Sequence, residues 1–83
     1  MTKSVQLSLE TPGGNYHTEG ETVFEALNAI PLDYTQVKHK GTIKVTRGEK
    51  SFERLFPLLP LRRLFANKLY KEHWAYSVEK FIN

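Results

Sequence analysis

Residues 61–83 form the longest stretch of this chain without proline or glycine. Because those two residues are the strongest helix breakers, the stretch predicts one continuous helix of roughly six turns, at about 3.6 residues per turn. It also contains the only tryptophan and two of the four tyrosines. A long helix rich in apolar residues needs other elements to cover it, so this segment constrains the arrangement of the whole chain.

The apolar residues of this predicted helix occupy more than one of its sides. The stripe that we expect to pack on a sheet consists of Leu61, Phe65, Leu69 and Tyr76. One small sheet cannot cover both sides of the helix, so the other side is a predicted protein interface. The presence of Trp and Tyr on that side supports the prediction, because both residues are enriched at binding hot spots. The contact residues predicted for this interface are Tyr70, Trp74, Val78 and Phe81. The alternative is that the chain bends, or that residues 58–59 fold over this side and cover it.

The N-terminal third predicts a β-hairpin followed by a short helix. Apolar and polar residues alternate over 4–10, which is the period-2 pattern of a half-buried strand. The Pro-Gly-Gly segment in residues 11–15 predicts a turn, and residues 16–19 predict the returning strand. Thr22, with a glutamate three residues later, indicates a helix that begins with a capping box and ends at Pro31.

The middle of the chain predicts a connection and then a second hairpin. We expect residues 32–40 to form the connection, with a short extended piece at 34–38. Residues 42–46 alternate in the strand pattern, and a tight turn leads to a returning strand at 51–56. The two prolines of 57–60 predict a rigid extended linker before the final helix, since each proline biases the preceding residue away from helix.

These elements together predict an α+β fold in a single domain covering residues 1–83. The order is β-hairpin, short helix, β-hairpin and long C-terminal helix, with a small antiparallel or mixed sheet and helices packed on one face. This order resembles that of β-grasp, ubiquitin-like domains, in which a hairpin is followed by a helix and further strands. The resemblance covers element order only, and no C-terminal Gly-Gly tail is present for conjugation, so it implies no activity.

Composition narrows the classes of chemistry that we expect. The chain has no cysteine, which excludes disulfides, thiolate metal sites and cysteine nucleophiles. His17, His39 and His73 fall on three different predicted elements, so we expect no metal site, and no cofactor or small-molecule substrate either. No stretch approaches the ~20 apolar residues that a membrane span needs. We therefore expect a cytoplasmic protein that is not an enzyme and has no membrane partner.

Charge is distributed unevenly along the chain. Residues 1–35 carry one base and five acids, residues 36–71 carry ten bases and two acids, and residues 72–83 carry one base and two acids. Such asymmetry favours an electrostatically steered partner or head-to-tail self-association. The predicted basic patch consists of Lys38, Lys40, Lys44, Arg47, Arg62 and Arg63. The alternative is that these residues are ordinary solvated charges, including lysines that protect a sheet edge from aggregation.

The sequence thus favours a small non-enzymatic interaction or assembly module. We expect it to bind a protein partner, or a second copy of itself, through the aromatic side of the final helix, with the basic patch steering an acidic partner. The alternative is a nucleic-acid-binding protein that contacts phosphates through the basic region of residues 38–71. No nucleic-acid-binding signature accompanies those basic residues, which are interleaved with glutamates.

Overall fold

The structure, a computed structural model, describes residues 4–83. It has the predicted α+β fold, in which an antiparallel sheet of four strands carries three helices, the longest at the C-terminal end. The elements in chain order are β1 (Val5–Thr11), β2 (Gly14–Gly20), α1 (Val23–Asn28), a 3-10 turn (Tyr34–Gln36), β3 (Gly41–Arg47), β4 (Lys50–Phe56), α2 (Leu58–Ala66) and α3 (Lys68–Ile82).

The two predicted hairpins form one sheet with the strand order β2-β1-β3-β4. All three strand pairs are antiparallel, so the antiparallel alternative of the prediction is confirmed. Leu7 lies opposite Thr18 on β2 and opposite Val45 on β3, which places the apolar residues of both central strands on the same face. Period-2 alternation therefore produces one buried face and one polar face.

The core lies between the buried face of the sheet and the helices. Each of β1, β3 and the three helices contributes fully or nearly fully buried apolar side chains, whereas the edge strand β4 contributes Phe56. On β4, Phe56 is buried and Leu55 points to the polar face, where it is 57% exposed. The buried helical residues are Val23, Ala26, Leu27, Leu61, Leu64, Trp74, Ala75, Val78 and Ile82.

The start of α1 follows the sequence signal. The Thr22 hydroxyl accepts a hydrogen bond from the Glu25 backbone N–H at 3.1 Å, as expected of an N-cap. The predicted capping box is not complete, because the Glu25 carboxylate accepts a hydrogen bond from the backbone N–H of Glu21, at 3.0 Å, rather than from that of Thr22. The helix ends at Asn28, before Pro31. With only six residues, α1 depends on packing against β1, β2 and α3 for its stability.

The connection and the linker differ from the prediction. Residues 34–36 form a 3-10 turn rather than an extended piece, because the Asp33 carboxylate caps the backbone N–H groups of Thr35 and Gln36. The predicted linker is part of a helix, since α2 begins at Leu58. Pro60 lies in the first turn of α2, where a backbone N–H has no helical partner and its loss costs nothing.

The predicted single helix over 61–83 is two helices. Asn67 has an extended backbone (φ −115°, ψ 110°), which ends α2 and begins α3. Its side-chain Oδ1 accepts a hydrogen bond from the Tyr70 backbone N–H at 3.0 Å, and this cap stabilises the first turn of α3. The break changes the direction of the chain, so an angular count that starts in α2 does not carry through to α3.

The break also overturns the predicted assignment of inner and outer sides. Leu69 and Tyr76, expected on the sheet, are 77% and 62% exposed. Trp74 and Val78, expected on the outer side, are 8% and 2% exposed and belong to the core. The bend of the chain, which was the alternative in the sequence analysis, thus turns Trp74 towards Phe52 and Phe56 on β4.

Candidate interaction surface

The four residues predicted as a protein interface do not form a surface in the structure. Trp74 and Val78 are buried in the core. Tyr70 is half-buried, and its ring lies under the Arg63 guanidinium, 5.3 Å from the ring centroid. Phe81 is 66% exposed, with its ring edge-to-face against Phe52 at 5.4 Å between centroids. Only Phe81 presents a large apolar area to solvent, so these four residues cannot act together as an interface.

A different side of α3 exposes apolar groups. A groove of about 430 Å³ lies between the start of α1 and α3, and we call it the α1–α3 groove. Its lining residues are Thr22, Phe24, Lys68, Glu72, Ala75, Tyr76 and Glu79. A smaller depression of about 210 Å³ continues along α3 past Tyr76 to Leu69. Because α1 has only six residues, it cannot cover the full length of α3, and the exposed side of α3 stays open.

Charged residues frame the apolar centre of the α1–α3 groove. Lys80 lies over the Tyr76 ring at 4.7 Å from its centroid, which holds the ring against the helix surface. Lys68 and Glu72 lie on the lining of the groove and are exposed. An apolar centre with a charged rim is the usual anatomy of a protein–protein contact.

One rim residue, Glu79, is fixed by a network that we call the end junction. The Glu79 carboxylate forms an ion pair with Arg47 and accepts a hydrogen bond from the Val23 backbone N–H at 2.8 Å. Arg47 also donates to the Glu21 carbonyl at 2.9 Å and to the Asn83 side chain. The side chains of Arg47 and Glu79 are only 10% and 21% exposed. The end junction therefore ties β3, α1 and α3 together beside the groove.

The residues of the predicted basic patch lie in separate places. Arg47 is in the end junction and is neutralised by Glu79. Lys44 lies on the polar face of the sheet, directly opposite Glu53 on β4. Lys40 lies beside Glu10 at the sheet end, lining the same depression. These three bases are thus either paired with or close to an acid, which weakens their combined potential.

The remaining three basic residues lie around α2 and the 3-10 turn. The Arg62 Nε donates to the Tyr34 carbonyl at 3.4 Å, and Arg63 lies over the Tyr70 ring. Lys38 follows the 3-10 turn and lines a cavity that also touches Leu61 of α2. The structure therefore brings Lys38, Arg62 and Arg63 to neighbouring elements and does not bring the other three to them.

The polar face of the sheet carries more acids than bases. Glu10, Glu19 and Glu53 share this face with Lys44. The Ser4 hydroxyl donates to Glu19 at 2.7 Å, and this hydrogen bond is the main cause that lowers the pKa of Glu19. An excess of negative charge repels the phosphates of nucleic acids, so the polar face of the sheet does not extend the basic region.

The titratable groups of the described residues do not converge on one centre. Within residues 4–83, no three His, Asp or Glu side chains come close enough to hold a metal ion. His17 lies on the polar face next to Gln6, whereas His39 lies against the turn at Gly13. Burial lowers the pKa of Lys71, whose Nζ lies 3.2 Å from the Asn28 side chain.

Comparison of the chain with protein-family models, with curated proteins and with solved structures finds no match. The helices of residues 4–83 are all too short or too polar to cross a membrane. Function is therefore inferred from the surface of the molecule.

Proposed function

We propose that this chain is a small non-enzymatic interaction module that binds a protein partner through the α1–α3 groove. The observation that carries the proposal is the exposure of Leu69 and Tyr76 on one side of α3. Tyr76 lines the groove together with the half-buried Phe24, and Leu69 lines the depression that continues from it. Large apolar side chains grouped on the surface of a small protein mark interaction sites more often than scattered ones do. Tyrosine and other aromatic residues also dominate the energy of such contacts.

The charge of the molecule favours an acidic partner segment. Lys68 lies in the groove, and residues 54–71, from the end of β4 through α2 to the start of α3, contain five bases and no acid. Two acids line the groove: Glu79 is neutralised by Arg47 in the end junction, whereas Glu72 is exposed beside Lys68. An acidic segment that also carries an apolar side chain would fill the groove and be attracted by Lys68 in its lining and by Lys80 over the Tyr76 ring.

The decisive experiment compares matched leucine variants. The double variant Leu69→Ser with Tyr76→Ser removes the exposed apolar side chains of α3, and Leu55→Ser removes another exposed leucine, on the polar face of the sheet. We expect a protein captured by the immobilised wild-type chain to be retained by Leu55→Ser and lost by the double variant. Binding of the purified partner, measured by calorimetry, must show the same difference of at least tenfold.

Two results would contradict the proposal, and another would change only the identity of the partner. Equal capture by both variants would place the interface elsewhere on the molecule. If the wild-type chain and Leu55→Ser form an oligomer that depends on concentration in sedimentation, and the double variant does not, the partner is a second copy of this chain. Retention on DNA or RNA that weakens steeply with salt, and that the double variant leaves unchanged, would favour the nucleic-acid alternative instead.

A further inference from the structure

A second cavity, of about 230 Å³, lies between the β1–β2 turn, the 3-10 turn and α2. We call it the turn cavity. Its lining residues are Thr11, Gly13, Tyr16, Leu32, Gln36, Val37, Lys38, His39 and Leu61. It shares no residue with the α1–α3 groove, so it is a separate feature of the surface.

The inner lining of the turn cavity is apolar and rigid. Leu61 and Val37 are buried core residues, and Leu32 is half-buried beside them. The aromatic rings of Tyr16 and His39 are also part of the lining. Ring faces and aliphatic side chains favour contact with a flat, apolar group, because aromatic rings pack in stacked or edge-to-face arrangements.

Apart from the Thr11 hydroxyl, which already donates to the Gly14 carbonyl at 2.6 Å, the polar side chains of the turn cavity can donate hydrogen bonds. Lys38 and His39 are exposed, and the hydrogen bonds among residues 4–83 do not involve them or the Tyr16 hydroxyl. The Gln36 side-chain oxygen Oε1 accepts a hydrogen bond from the Asp33 backbone N–H at 2.9 Å, which leaves the side-chain N–H₂ of Gln36 to donate. No carboxylate belongs to the lining. A ligand that meets these groups with a negative charge gains charge-assisted hydrogen bonds.

Gly13 shapes one wall of the turn cavity. A Cβ atom at this position would lie 3.1 Å from Cδ2 of His39, which is closer than ordinary van der Waals contact. The absence of a side chain thus allows the imidazole to lie against the β1–β2 turn. An alanine at this position would displace the His39 ring and change the entrance of the cavity.

We infer that the turn cavity binds a small planar carboxylate, with its flat apolar body against Leu61 and Tyr16 and its carboxylate towards Lys38 and His39. The volume limits the ligand, since pockets for drug-sized molecules measure about 300–1,000 Å³ and this cavity is smaller. A single aromatic ring with one carboxylate fits that limit. The inference is independent of the proposed function, because the two sites have no lining residue in common.

The test is a nitrogen-15 NMR titration of the full chain with benzoate. We expect saturable shifts of the backbone amides of Gly13, Gln36 and Val37, with a dissociation constant of about 0.1–5 mM, as is usual for a ligand of so few atoms. Benzamide, which has the same shape and no charge, should bind at least threefold more weakly. Gly13→Ala should weaken benzoate binding, since it displaces His39.

Charge variants complete the test with a matched control. Lys38→Gln should weaken benzoate binding by roughly three- to tenfold, the effect of losing one charge-assisted contact near the surface. Lys44→Gln removes the same charge from the polar face of the sheet and should leave binding unchanged. The inference is overturned if benzoate causes no saturable shift up to about 20 mM, if benzamide binds equally well, or if Lys38→Gln and Lys44→Gln have equal effects.

Discussion

Replacement of Trp74 by alanine tests directly whether the core lies where the structure places it. The Trp74 side chain is 8% exposed and packs edge-to-face on Phe56 and Phe52, at 5.5 and 6.2 Å between ring centroids. Truncation of a buried tryptophan costs about 3–5 kcal/mol, and this figure includes the cavity that remains. A domain of this length has a total stability of roughly 4–12 kcal/mol. We therefore expect Trp74→Ala to lose a quarter or more of the free energy of unfolding.

The measurement is urea unfolding followed by far-ultraviolet circular dichroism, because the variant lacks the tryptophan fluorophore. With a slope of about 1 kcal/mol per molar urea for a chain this small, the midpoint should fall by roughly 3–5 M, or the variant should be unfolded without urea. Tyr76→Ala is the matched control, since its ring is 62% exposed, and we expect a loss below about 1 kcal/mol. A Trp74→Ala variant as stable as Tyr76→Ala would refute the assignment of Trp74 to the core.

Three further predictions concern the end junction, a helix cap and a carboxylate. Glu79→Gln should lower the free energy of unfolding by about 1–3 kcal/mol, because it leaves the largely buried Arg47 without its counter-ion. As a control in the same urea assay, Lys44→Gln should change the free energy of unfolding by less than about 0.5 kcal/mol. Asn67→Ala should cost about 1 kcal/mol by removing the N-cap of α3, and no loss of stability in that assay would contradict the role of the cap. The hydrogen bond from the Thr35 hydroxyl is the main cause that lowers the pKa of Asp33 below 3.8. The cap is therefore present at neutral pH and is lost as pH falls below 3.8 and through the folded pKa. A carbon-13 NMR titration that places the pKa of Asp33 at or above 3.8 would contradict this prediction.

The fold class could be predicted because the strands carry complete local signals. The alternation over β1 and β3 specifies which residues face the core, and the turns at Gly14 and Gly48 have the positive φ values that glycine permits (153° and 63°). The capping residue Thr22 specifies the start of α1. The 3-10 turn was not predicted, although Asp33 and Gln36 have the spacing of a capping box, which is a local signal for the start of such a turn.

The helix faces could not be predicted because two stripes satisfy the same periodicity. Leu69 and Tyr76 are seven residues apart, and so are Ala75 and Ile82, with Val78 between the latter pair. Periodicity alone does not show which stripe faces the core, because the helical angles were counted from α2 across the break at residue 67. The choice depends on tertiary contacts, above all on the aromatic residues of β4 that receive Trp74.

The surface sites depend even more on tertiary structure than the helix faces do. The basic residues are neighbours in sequence, yet a strand of seven residues carries Arg47 away from Lys40 to the opposite end of the sheet. The turn cavity joins residues from three distant segments, for example Gly13, Lys38 and Leu61. No local sequence pattern predicts such a site, since each of these residues has an ordinary structural explanation on its own.

The pairing of β1 with β3 has a consequence for the rate of folding. Each hairpin closes a short loop and is expected to form within about 1–10 μs, whereas the alignment of Leu7 with Val45 must wait until the whole segment between them has become compact. The segments that meet at this pairing have opposite net charge, because residues 1–35 are acidic and residues 36–71 are basic. Their attraction accelerates the encounter at low ionic strength, so added salt should slow the folding step that joins the two halves of the sheet.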